Sequence, residues 1–112
     1  MRVGMYRRDE PNGSFRLVRP NTFLMKFFYI YVLQSKTKDF IYVGFTHNLK
    51  KRFFEHNNKE EISTKAYAPF ELIFYEAYRN EKDAKRREGY LKTTKGKTTL
   101  RSMLMEYLKQ KS

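Results

Sequence analysis

The sequence contains no cysteine, which removes disulfide frameworks, cysteine-ligated zinc and thiol nucleophiles together. That absence fits a reducing, cytoplasmic compartment. No stretch approaches the roughly 18 uninterrupted apolar residues that a membrane span needs. The N-terminus is basic but has no apolar h-region, which excludes a secretory signal. Pro11, Pro20 and Gly13 interrupt the amphipathic helix that a mitochondrial presequence requires. Acidic residues are scarce: 12 Asp plus Glu face 24 Lys plus Arg, for a formal charge of +12 over 112 residues. An excess of this size points to a polyanionic partner, nucleic acid ahead of a membrane surface. Internal repeats, low-complexity stretches and the signatures His-Glu-x-x-His and Gly-x-Ser-x-Gly are also missing. Gly96-Lys97-Thr98 looks like the tail of a P-loop, but Leu91 stands where the first glycine is required.

Aromatic residues, by contrast, are plentiful. Ten Phe and nine Tyr give one small domain the bulk for a core, which a disordered basic tail would lack. Residues 1–24 show no sustained periodicity and read as a flexible basic extension; dense patterning starts at Met25, and 25–112 form the domain. Phe27 to Leu33 suits a buried strand, and Phe40 to Gly44 a second one across a short polar turn, hence an antiparallel hairpin. Asn48 caps a helix to about Asn57, with Leu49, Phe53 and His56 on one stripe. A polar loop to Ala68 leads into a third strand, Phe70 to Tyr78, with Leu72, Phe74, Glu76 and Tyr78 alternating against Ile73, Tyr75 and Ala77. Asn80, with Asp83 in a capping-box position, starts a helix to about Leu91. Thr93 to Lys97 is a basic break. Leu100, Met103, Leu104, Tyr107 and Leu108 mark a third amphipathic helix, whose apolar stripe reads as a core face rather than a membrane-binding one. The expected class is α+β: a small three-stranded antiparallel sheet flanked by helices, in the order β-β-α-β-α-α.

Among residues with chemical potential, Glu88 shares a helix face with Ala84 and Leu91, whereas Lys82, Lys85 and Arg86 point elsewhere. A carboxylate on an inward stripe needs a cation or donors to meet it. It is either an ion-pair partner of a nearby arginine or a ligand for one hard divalent cation. Arg52 and His56, spaced i, i+4, stack on one face of the first helix. They are either a surface charge and a helix-end histidine favoured by the dipole, or a phosphate clamp and a proton handler. Tyr31 and Tyr42 occupy consecutive strands, where tyrosine ordinarily packs. Gly44 marks a bend or a close approach.

Taken together, Tyr29-Ile30-Tyr31, Tyr42-Val43-Gly44, Asn48-Leu49-Lys50-Lys51-Arg52 and Glu88 resemble the GIY-YIG nuclease domain. The likeness runs from about Met25 to Leu108. It is strongest to the small stand-alone bacterial members, called excinuclease-C-like or URI-type, through Ile62-Ser63-Thr64-Lys65-Ala66, Pro69-Phe70-Glu71-Leu72 and Lys95-Gly96-Lys97-Thr98-Thr99-Leu100. The resemblance implies an endonuclease that hydrolyses DNA phosphodiesters with Mg²⁺ or Mn²⁺. On that pattern Tyr31 and Tyr42 are the motif tyrosines, Arg52 is the catalytic arginine, His56 sits at an assisting position, and Glu88 is the single metal ligand. Tyr29 stands where the name-giving glycine would be, and a late asparagine found in some members has no counterpart. Lys50, Lys51, Lys85, Arg86, Arg87, Lys92, Lys95 and Lys97 would supply phosphate contacts. The same cations would serve a non-catalytic nucleic-acid-binding module, or a protein acting on RNA.

Overall fold

The structure is a computed structural model, and it describes residues 26–110. The extension expected at 1–24 lies outside the described residues. Three strands, β1 (Phe28–Ser35), β2 (Ile41–Thr46) and β3 (Phe70–Tyr78), form one antiparallel sheet in the order β2-β1-β3. Four helices are present among the described residues: α1 (Leu49–Asn57), α2 (Glu81–Leu91), α3 (Thr94–Met103) and α4 (Met105–Gln110). A 3-10 turn, Lys65–Tyr67, precedes β3. The expected α+β class and strand pairing are what the chain adopts. No helix among the described residues is long and apolar enough to cross a membrane.

The central strand decides the layering. Because side chains alternate across a strand, β1 sends Ile30 and Val32 to one side and Tyr31 and Leu33 to the other. Ile30 and Val32 meet Val43, Ala84, Leu91 and Leu100, an aliphatic core closed by α2 and α3. Tyr31 and Leu33 meet Phe70, with Tyr42, Leu49, Phe53 and Tyr67 packed around them beneath α1.

The regular alternation expected along β3 does not hold. Val32 pairs with Phe74 but Leu33 pairs with Leu72, so Ile73 is an extra residue and the register shifts there. One inserted residue reverses the parity of every side chain beyond it. Leu72 therefore joins the Tyr31 side, whereas Ile73, Phe74 and Tyr78 pack on the aliphatic side.

The helix starts are set by side-chain caps. Asn48 accepts from the Lys51 amide and Asn80 from the Lys82 amide, satisfying amides that have no partner within the helix. Asp83 does not complete a capping box; it pairs with Arg86 at 3.1 Å. The expected break from Thr93 to Lys97 is also shorter than the sequence suggested. Thr93 accepts from the Gly96 amide at 2.9 Å and α3 begins at Thr94, so Lys95 and Lys97 stand in its first turn. Gly96 permits this tight junction, since a Cβ there would lie 1.8 Å from the Tyr90 carbonyl oxygen. The expected third helix is itself divided at Leu104, into α3 and the short α4.

Candidate active site

The site is built outward from Tyr31, which is 1% exposed at the middle of the central strand. Its cross-strand partner is Gly44, and the phenol lies directly over that residue. A Cβ at position 44 would stand 2.4 Å from the Tyr31 ring and hydroxyl. The close approach expected at Gly44 is thus made by a tyrosine side chain. Tyr42 stands two residues before Gly44 on the edge strand, on the same face, its ring 6.1 Å from that of Tyr31.

Helix α1 lays His56 and Arg52 over these phenols. His56 is fully buried, and its Nε2 lies 2.9 Å from the Tyr31 hydroxyl. Its Nδ1 lies 2.8 Å from the hydroxyl of Thr64, also fully buried. Burial, with Arg52 nearby, holds the imidazole below its ordinary pKa of 6.5, against the opposing pull of Glu61 and Glu55. A helix-end histidine charged by the dipole would show the reverse. Burial pushes the Tyr31 phenol well above its ordinary range, a rise that the facing Arg52 guanidinium only partly offsets.

Arg52 is half-buried and forked between two carboxylates, Glu55 at 3.0 Å and Glu61 at 2.6 Å. Burial works against its charge, but Tyr31, Glu55 and Glu61 outweigh that cost and hold the guanidinium protonated. Of its five N–H donors, those not engaged by the two acids are left for a phosphate.

Glu88 reaches the same edge of the sheet from the opposite face. It lies between the fully buried Ala84 and Leu91, yet its side chain remains 20% exposed at the rim. The cation that meets it is Lys92, one turn on, at 3.0 Å, rather than an arginine. The Lys92 ammonium also lies 5.9 Å from the centroid of the Tyr42 ring. One lysine therefore links the carboxylate on α2 to the tyrosine on β2.

Among the described residues no three or more His, Cys, Asp or Glu side chains gather around a point. A hard divalent cation here would rest on the single Glu88 carboxylate, completed by waters and phosphate oxygens, and the donor chemistry fits such an ion. The carboxylate is reachable, and the ammonium now beside it belongs to a side chain 48% exposed.

The cations expected to touch phosphate divide into groups. Lys50 is exposed and lines a shallow apolar groove with Tyr29, Leu49, Phe53 and Leu72. Lys51 is paired with Glu55. Lys85 lies 4.6 Å from the Phe45 ring centroid, and Arg86 is paired with Asp83. Arg87 is engaged away from the tyrosine cluster, donating to both oxygens of Glu76 at 3.0 and 3.1 Å. Lys92 stands at the site, and Lys95 and Lys97 are exposed on α3.

Sequence reasoning assigned no role in the site to Glu55, Glu61 or Thr64. Glu55 was within reach, because it follows Arg52 by three residues on a helix. Glu61 and Thr64 lie in a polar loop with no periodicity, and only the path of that loop brings them under α1.

Comparison with known proteins places this geometry. Residues 27–101 match the model of the GIY-YIG catalytic domain. A UPF0213 protein of Clostridium perfringens is 37% identical over 65 residues, which cover 57% of this chain and 69% of that protein. UPF0213 proteins of Staphylococcus saprophyticus and Limosilactobacillus reuteri are 32% and 37% identical, over 79% and 70% of their lengths and 58% of this chain. No solved structure matches. The matched segment runs from the start of β1 into α3, so it includes both tyrosines, Arg52, His56 and Glu88. It implies nucleic-acid binding and a nuclease domain, of a kind that generally depends on a divalent metal. The chain belongs to the GIY-YIG family.

Proposed function

We propose that this protein is an endonuclease hydrolysing DNA phosphodiesters with Mg²⁺ or Mn²⁺. The observation that carries the reading is the buried Tyr31–His56 hydrogen bond of 2.9 Å, with Arg52 facing the phenol and Glu88 at the adjoining edge.

The raised pKa of Tyr31 means that a standing phenolate is not the base at neutral pH. The hydrogen bond supports a shuttle instead. An attacking water gives its proton to the Tyr31 oxygen as the phenolic proton passes to His56 Nε2. The phenol stays neutral throughout, and the imidazole, held neutral beforehand, ends as imidazolium. The water oxygen bonds to phosphorus as the bond to the leaving oxygen breaks, and the leaving oxygen takes a proton from solvent. Arg52 stabilises the negative charge that develops on the phosphate, and its fixed fork suits non-bridging oxygens. Tyr42 packs against both the Tyr31 and His56 rings and fixes their separation. Glu88 would hold the divalent cation, which when bound supplies charge neutralisation at the phosphate and the leaving oxygen.

Cleavage of labelled single-stranded, duplex and branched DNA, and of RNA, in Mg²⁺, Mn²⁺ or EDTA tests the reading. Wild type should cut DNA only with metal. Glu88→Gln should lose at least about 10²–10³-fold, the scale of removing one group that stabilises developing charge. Its melting temperature should not move. Metal-independent cutting, or a Glu88→Gln protein that cuts normally, would overturn it. One observation favours the rival reading of a non-catalytic binding module: Arg52 and Glu88 already have protein counter-ions. That module would bind DNA in both forms and cut in neither.

A further inference from the structure

Thr64 belongs to the turn that follows α1, and sequence reasoning gave it no role. Its side chain is fully buried against His56. Three hydroxyl or imidazole groups lie in line there: Tyr31, His56 and Thr64, joined at 2.9 and 2.8 Å. Beyond Thr64 the line ends at the Glu61 carbonyl, which takes the Thr64 amide at 3.1 Å and has the hydroxyl 3.5 Å away.

Counting donors and acceptors selects one proton arrangement. If the imidazole carried its proton on Nε2, the Tyr31 oxygen would receive that N–H and its own proton would have to turn elsewhere. The phenolic proton would then have no protein acceptor, since His56 is the hydroxyl's hydrogen-bond partner among the described residues and it would be donating. At a site 1% exposed, a donor without a protein acceptor is the disfavoured arrangement. With the proton on Nδ1 every group is satisfied. Nδ1–H donates to Thr64, the Thr64 hydroxyl donates to the Glu61 carbonyl, and Tyr31 donates to Nε2.

We infer that Thr64 is a positioning residue for His56, whose hydroxyl accepts the Nδ1 proton and so keeps Nε2 open to receive a proton from Tyr31. The same turn holds the other working side chain of α1, because the Glu61 carboxylate pairs with Arg52 at 2.6 Å. Four residues of irregular chain thus orient both the arginine and the histidine. The consequence for cleavage rests on the proposed nuclease reading; the tautomer itself does not.

The charged and titratable groups around His56 are Tyr31, Tyr42, Arg52, Glu55 and Glu61. Imidazole nitrogen NMR reads the tautomer directly, and the exposed His47 is an internal reference. In wild type His56 should be the neutral Nδ1–H form. Thr64→Val, which keeps the shape and removes the acceptor, should yield a mixture of tautomers, and Thr64→Ser should restore the single form. In cleavage, Thr64→Val should lose about 10–100-fold, the scale of removing a group that orients a working histidine, with Thr64→Ser near wild type. The acid limb of the pH–rate profile should move in Thr64→Val alone. An Nε2–H tautomer in wild type overturns the proposal, even if Thr64→Val fails to fold. A Thr64→Val protein with the wild-type tautomer overturns it too. Absence of cleavage by wild type with the Nδ1–H form intact would instead count against the nuclease reading.

Discussion

The two faces of the sheet are built to different rules. On the side closed by α2 and α3, the buried residues Ile30, Val32, Val43, Ala84, Leu91 and Leu100 are all aliphatic. They have no hydrogen bond to satisfy, so their burial contributes to stability through area alone. On the side beneath α1, Tyr31, His56 and Thr64 are buried as a hydrogen-bonded chain, with Leu33 and Phe70 beside them. Each polar group there loses hydration and regains one or two bonds, a near cancellation. The contrast teaches that one strand can serve both ends: alternate residues of β1 anchor the fold and carry the candidate chemistry.

Three measurements would break or sharpen that contrast. The largest effect is expected on the aliphatic side. Leu91→Ala should cost about 2–5 kcal/mol in denaturant unfolding while leaving cleavage per folded molecule unchanged at low temperature. Equal loss of cleavage would show that the faces are not separable. Next comes Gly44→Ala. The new Cβ would collide with the Tyr31 phenol, so unfolding free energy should fall by about 1–3 kcal/mol and cleavage should drop with it. Full activity would mean that Tyr31 need not hold this position.

The smallest effect is the pH dependence of stability. His56 is held below its ordinary pKa, so the unfolded chain binds the proton more readily than the folded one. Its contribution is therefore complete above 6.5 and is lost as pH falls through the lowered folded value. The melting temperature should decline between pH 6.5 and 5, above the range in which carboxylates titrate. A flat profile over that window would sink the assignment of His56 as a buried neutral group.

Much of the fold was readable because its signals are local. The three strands announced themselves by β-branched and aromatic runs, and Asn48 and Asn80 marked two helix starts by cap chemistry. The parity of β3 was not readable, since a bulge is set by pairing with β1 and leaves no trace in composition. Nor was the start of α3, which depends on Gly96 fitting beneath the Tyr90 carbonyl. In the site, Arg52, His56 and Glu88 could be singled out by helical spacing. The partners Glu55 and Lys92 follow from the same spacing, at i+3 and i+4.

The sequence by itself determined the element order, the basic surface, and which side chains share a helix face or a face of the two hairpin strands, because those depend on periods of 3.6 and 2 along the chain. Tertiary structure alone decided that His56 is neutral and that Thr64 and Glu61 sit beneath α1. It also decided that Glu88, from one face of the sheet, meets Tyr42, from the other, through Lys92. Protonation follows from burial and facing charges, and these come from residues distant in sequence that a pattern along one segment does not contain.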